Sequence, residues 1–310
     1  MSPASIIPGS IEDRAVGCLL GGAIGDALGV TNEFVEGWRV TPLTRIVGGG
    51  WLKRKPGEWT DDTAMSIALA MSLADCGGLH EEDFLDRLRR WLYYGDYSCT
   101  GKCDDVGLLT RAAITNFSQT RKVRAGRTDI MSAGNGSLVR MAPIAIRFQH
   151  DLPEMLVAAD CQSRCTHGAP EVIDACRAFG TLLVEALNGG GRGVLEPRAW
   201  DGTKNVSRVL AGSWRGRERS QIDPSGWVVA TLLAAIWSVA TTRTFEDAVL
   251  RAANLGGDAD SIAATAGQLA GAIYGASAIG ESLSAPIAWR DQVIALALRL
   301  AADGTHDVND

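Results

Sequence analysis

Two segments almost two hundred residues apart each set carboxylates beside a hydroxyl: Trp59-Thr60-Asp61-Asp62-Thr63-Ala64-Met65 and Gly256-Gly257-Asp258-Ala259-Asp260-Ser261. Each opens an apolar run with helical spacing. Thr and Asp are favoured at helix N-caps, and acidic residues in the first turn complement the helix dipole. Taken singly, each segment is a capped helix start. Taken as a pair, they offer hard oxygen donors on short side chains, with Gly256 and Gly257 letting the backbone approach closely. Such donors suit Mg²⁺ or Mn²⁺ rather than Zn²⁺. If the two starts meet, four carboxylates share one place, and each close pair repels by about 4 kcal/mol at ~4 Å in an effective dielectric of roughly 20. A helix dipole offsets about 1 kcal/mol, so the dipoles alone cannot neutralise the cluster. One or two divalent cations can. The sequence does not itself supply the meeting.

The elements that must bring it about are helical. Apolar spacings of three and four recur, as in Leu69, Leu73, Phe84, Leu88, Trp91 and Leu92, and sustained alternation is missing. Helices are predicted at 11–27, 61–75, 81–94, 105–117, 135–148, 153–164, 170–187, 226–240, 245–254, 260–276 and 286–301. The expected fold class is therefore all-α. Two segments break the pattern: Arg121 to Ser132, basic and poor in large apolar residues, and Gly189 to Ser225, rich in Gly and Arg. Both are expected at the surface. Neither resembles a linker, so a single domain over 1–310, with its core at about 12–301, is expected. Ser261 to Gly280 carries no charge and is long enough to span a bilayer, but its glycines, hydroxyls and Gln268 favour a tightly packed helix within the protein.

Composition bounds the remaining choices. The 310 residues are 46% hydrophobic and 21% charged, which excludes a disordered or collagen-like chain. The net charge of −6 gives no overall field for nucleic acid, so any phosphate site must be local. Seven cysteines, an odd number with no secretory leader before them, suggest reduced thiols in a cytoplasmic protein. Cys99/Cys103 and Cys161/Cys165 have a three-residue gap that is atypical of zinc knuckles.

The runs Gly17-Cys18-Leu19-Leu20-Gly21-Gly22-Ala23-Ile24-Gly25-Asp26-Ala27-Leu28-Gly29, Trp59 to Met65, Gly134-Asn135-Gly136-Ser137, Thr166-His167-Gly168 and Asn254 to Gly271 stand in the order seen in ADP-ribosylglycohydrolases. Over residues 12–277 the chain resembles that family, which includes the dinitrogenase reductase activating glycohydrolase. The resemblance implies a compact, orthogonal multi-helix bundle with two divalent cations, Mg²⁺ or Mn²⁺. It implies ligation by Thr60, Asp61, Asp62, Asp258, Asp260 and Ser261, with Asp260 as the bridge. Ser261 stands where many members have Thr and keeps the hydroxyl. Glu33 matches a loop glutamate over the metals, a candidate acid/base or gate.

On the substrate side, the Gly134-Asn135-Gly136-Ser137 turn offers a nest of backbone N–H groups for a pyrophosphate. The resemblance puts His167 near the ligand phosphates. It puts Trp227, where Tyr is frequent, in reach of adenine or ribose. Asp105 matches an aspartate on the leaving-group side. A carboxylate can grip a planar guanidinium, so it favours ADP-ribosyl-arginine over a serine linkage. Asp104 occupies a position that is usually apolar. The expected activity is metal-dependent removal of ADP-ribose from a modified protein, with Asp61, Asp62 or Glu33 receiving the water's proton and Asp105 holding the guanidine. The alternatives are an O-linked substrate (serine or O-acetyl-ADP-ribose) and a non-catalytic binding or structural protein, since the family includes an eye-lens crystallin. A monomer is expected, because the long excursions show no obvious apolar patch.

Overall fold

The computed structural model describes residues 6–306, in which thirteen α-helices follow one another with no β-strand beyond isolated bridges. The first, α1 (Ile11–Gly29), starts where Ser10 accepts from the Asp13 amide and is buried on nearly every face from Ala15 to Gly29. Its partner is α11 (Ala259–Tyr274), whose body from Ala259 to Ala272 is buried as completely.

Small residues make that pairing possible. Gly17, Gly21, Gly25 and Gly29 recur every fourth residue and so share one face of α1. They lie against Gly271, Gly267, Ala263 and Ala259 of α11, in antiparallel order. A Cβ built on Gly25 would fall 1.9 Å from the Ala263 carbonyl oxygen, and one on Gly271 would fall 1.8 Å from that of Gly17. The two backbones touch, and no larger residue fits between them. The uncharged run after Asp260 is this packing face, and no helix of the described residues is long and apolar enough to cross a membrane.

Around this pair lie α2 (Asp61–Cys76), α3 (Glu81–Tyr94), α4 (Leu108–Thr120), α5 (Ala142–Arg147), α6 (Leu152–Arg164) and α7 (Pro170–Glu185). The layer continues with α8 (Lys204–Leu210), α9 (Val228–Ala240), α10 (Phe245–Ala253), α12 (Glu281–Ser284) and α13 (Arg290–His306). The all-α expectation holds, with three corrections to the elements. The helix expected over 135–148 is confined to Ala142–Arg147, and residues 136–140 are successive turns. Pro143 explains this, since a helix continuing through it would drive its ring against the Val139 carbonyl. The helix expected from residue 105 begins at Leu108, leaving Asp105 in a loop.

The third correction concerns 189–225, which is not a surface excursion. Val194, Leu195, Val206, Val209, Leu210, Trp214 and Ile222 are all buried there. They arrive from short turns and α8 rather than from one long helix, so their spacing has no period to read. Even Arg192 points inward, donating to the Val239 and Ala240 carbonyls that end α9. The segment 121–131, by contrast, is largely exposed, as expected.

Candidate metal and ligand site

Neither N-cap side chain caps its own helix. Thr60 precedes α2 and Asp258 precedes α11, yet neither side chain accepts from a backbone N–H of its own first turn. For α2 the cap comes from α1. The Asp26 carboxylate, fully buried, accepts from the Thr60 amide at 2.9 and 3.1 Å, from the Thr63 amide at 3.0 Å and from the Thr63 hydroxyl at 2.6 Å. This frees the Thr60 hydroxyl, which donates to Asp260 Oδ2 at 3.5 Å. The two acidic helix starts therefore meet, and Asp26 is the fastening.

The α11 start is held by its preceding loop. Gly256 and Gly257 have φ of 79° and 63°, in the left-handed region that glycine adopts without strain. The Gly257 amide donates to the Val35 carbonyl, and the Gly257 carbonyl accepts from the Phe34 amide. That double bond docks the Glu33 loop onto the α11 start. Asn254 adds to it by pairing with the Leu43 amide and carbonyl. Oxygen atoms of Glu33, Asp258 and Asp260 consequently lie within 4.8 Å of one another.

These groups open onto a cleft of about 280 Å³. Its lining includes Glu33, Asp61, Asp62, Asp105, Asp258, Asp260, Ser261, Gly134, Asn135, Gly136 and His167, so most of the sequence-predicted residues come together. Thr60 sits buried beside Asp260. Two predicted side chains face elsewhere. The Ser137 hydroxyl pairs with Ser163 in the interior, and the Trp227 indole donates to Glu171 at 3.0 Å, so neither side chain is part of the cleft lining. Asn135 does more than offer a backbone turn: its side chain donates to Asp258 at 2.5 Å and to Thr231 at 2.9 Å.

Two loop contacts were not foreseen. The Trp51 indole donates to Glu33 at 2.6 Å, and at the other end of the same turn Arg54 grips Asp104 through two bonds of 2.9 and 2.7 Å. Asp104 is therefore the anchor of the loop that presents Asp105. Trp51 left no signal in the sequence. Asp26 did, as the one charge between Arg14 and Glu33.

Electrostatics follow from the crowding. Burial, then the charges of Asp105, Asp258 and Asp26, pushes Glu33 up to about 8 against the opposing bond from Trp51. Burial and Asp26 push Asp105 up to about 6. Asp61, Asp62 and Asp260 are pushed well above the usual carboxylate range, first by burial and then by neighbouring carboxylates: Asp105 and Asp26 for Asp61, Asp61 and Asp26 for Asp62, Glu33 and Asp258 for Asp260. Asp62 Oδ2 and Asp260 Oδ1 are buried and have no hydrogen-bond partner. Buried, unpartnered oxygens on mutually repelling carboxylates are what a hard cation satisfies, so the donor set fits Mg²⁺ or Mn²⁺.

Fold and site together define an all-helical protein built around a buried polycarboxylate cleft able to hold a divalent cation. Residues 8–308 match the family described as ADP-ribosylglycohydrolase. The chain is 40% identical over 295 residues to the ADP-ribosylarginine hydrolase Tri1 of Serratia proteamaculans, covering 94% of this chain and 79% of the relative. It is 33% identical over 273 residues to the ADP-ribosyl-[dinitrogen reductase] glycohydrolase of Rhodospirillum rubrum, covering 86% and 87%. A solved structure titled ADP-ribosylglycohydrolase-related protein complex superposes with a TM-score of 0.85 at 35% identity, covering 95% of this chain and 99% of its own. The protein belongs to the ADP-ribosylglycohydrolase family.

Proposed function

We propose that this protein is a divalent-metal-dependent hydrolase that cleaves the N-glycosidic bond between ADP-ribose and an arginine side chain of a modified protein. The observation that carries the reading is the convergence of six carboxylates in one cleft with two buried oxygens unpartnered. The relatives at 40% identity named ADP-ribosylarginine hydrolases support the linkage.

Thr60, Asp61, Asp62, Asp258, Asp260 and Ser261 would hold the cations, with Glu33 within 4.8 Å of Asp258 and Asp260. When bound, the cations supply the positive charge the carboxylates lack and acidify a water. The Gly134 and Gly136 amides and His167 receive the pyrophosphate through N–H donors, the Asn135 amide being taken by the Gly226 carbonyl. Asp105, in its loop, grips the guanidinium of the departing arginine. Glu33, whose carboxyl lies within 4.8 Å of those of Asp258 and Asp260, takes the water's proton and passes one to the leaving nitrogen. Asp61 and Asp62 are alternative acceptors.

The test compares ADP-ribosyl-arginine, ADP-ribosyl-serine and O-acetyl-ADP-ribose, each with Mg²⁺, with Mn²⁺ and with excess chelator. Fastest turnover of the arginine substrate, stopped by chelator, is expected. Preferential turnover of an O-linked substrate, or ADP-ribose binding with no turnover of any linkage, would overturn the reading.

A further inference from the structure

Arg140 is fully buried, carries a charge and has no carboxylate partner among its hydrogen bonds. Its Nε donates to Gln162 Oε1 at 2.8 Å, and its Nη2 donates to the Gln162 carbonyl at 3.0 Å and to Thr166 Oγ1 at 2.7 Å. Its guanidinium carbon lies 5.0 Å from the centre of the Phe84 ring. Burying a cation among neutral acceptors is costly, so a structure that retains one calls for a role.

The next link supplies it. Thr166 is also fully buried, and its Oγ1 lies 2.8 Å from His167 Nδ1. A guanidinium only donates, so Thr166 must accept from Arg140 and keeps its single proton for another partner. Were Nδ1 protonated, it would compete for the second lone pair and leave the hydroxyl proton buried and unpaired, which is the costlier arrangement. On the far side of the ring, Nε2 faces the turn that lines the cleft: a Cβ on Gly136 would stand 3.2 Å from Nε2, and one on Gly134 would stand 3.7 Å away.

We infer that Arg140 is a positioning residue which, through Thr166, holds His167 in the tautomer protonated on Nε2 and so aims an N–H donor into the pyrophosphate end of the cleft. The permanent charge of Arg140 also disfavours a second proton on the ring. Burial and that charge lower His167 to about 3, so the donor is a neutral imidazole. The ligand role of this donor rests on the reading given under Proposed function, whereas the tautomer does not.

The experiment is two-bond ¹H–¹⁵N NMR of the full chain labelled on histidine, together with ADP-ribose titration by calorimetry. In the unmodified protein, His167 should show a protonated Nε2 and a bare Nδ1. Thr166→Val should give mixed tautomers and weaken ADP-ribose binding by about tenfold, an order of magnitude for one lost hydrogen bond. Thr166→Ser should restore both signals. Arg140→Leu removes the first donor but empties a buried cation site and can fail to fold, so Thr166→Val keeps the experiment decisive. A protonated Nδ1 in the unmodified protein, or an unchanged tautomer in Thr166→Val, overturns the relay. His167→Ala tests the reading separately: unchanged ADP-ribose affinity there would remove His167 from the ligand site whatever its tautomer.

Discussion

The Thr60 hydroxyl donates to Asp260 Oδ2 across a separation of 200 residues, which puts the start of α2 against the start of α11. Neither helix achieves this alone. The contact depends on α1, which lies flush against α11 through its glycine face and reaches α2 through Asp26.

The glycine face gives the first prediction. Gly25→Ala places a methyl 1.9 Å from the Ala263 carbonyl oxygen, so α1 and α11 must separate. Overpacking of this kind typically costs about 1–3 kcal/mol, and backbone contact puts Gly25 at the upper end. Gly78→Ala, with nothing within 4 Å, should change stability by less than about 0.5 kcal/mol. Urea unfolding of the two variants measures the difference, and equal stabilities would contradict the packing argument.

Asp26 gives the second. Asp26→Asn keeps the shape but turns an amide group toward donors from Thr60 and Thr63, losing bonds to a charged acceptor worth about 1.5–3 kcal/mol each. Thermal stability should fall, and Mn²⁺ affinity with it, although Asp26 is not among the proposed ligands. Isothermal titration with Mn²⁺ checks this, and unchanged affinity would mean that the α2 start keeps its place without Asp26.

The third concerns pH. His167 is lowered to about 3 in the folded protein, whereas an unfolded histidine titrates near ~6.5. Between those values the unfolded chain binds a proton that the folded chain does not. The stability associated with His167 is therefore complete above about pH 6.5 and is lost as pH falls toward 3. The slope of unfolding free energy against pH from 7 to 4 should be shallower in His167→Asn than in the unmodified protein. Parallel slopes would show that His167 takes up its proton in the folded state.

The helical class and the two acidic starts are legible because helical periodicity and N-cap chemistry are local. Their meeting is not local. It depends on which helix faces α11, and the only trace is the four-residue spacing of Gly17, Gly21, Gly25 and Gly29. Asp26 and Arg140 interrupt apolar runs, which marks them as unusual without naming the donors and acceptors they serve. Trp51 lies in a turn with no periodicity, so its bond to Glu33 is set wholly by tertiary structure. Asn135 is the opposite case, where a turn signature conceals a side chain that grips Asp258. Residues 189–225 were unreadable because their buried side chains come from turns of several kinds.

The measurement closest to the central claim is Mn²⁺ titration of the unmodified protein, Asp62→Asn and Asp258→Asn, followed by calorimetry and by thermal unfolding with and without chelator. One substitution lies at each helix start. Cation bound at about a hundred times its dissociation constant stabilises the fold by about 2.7 kcal/mol, so the unmodified protein should show a clear chelator-sensitive rise in Tm. Either substitution alone should abolish tight binding and most of that rise, while relieving repulsion in the metal-free fold. If Asp258→Asn binds Mn²⁺ with unchanged stoichiometry and affinity, the two starts do not share a cation, and the account is wrong.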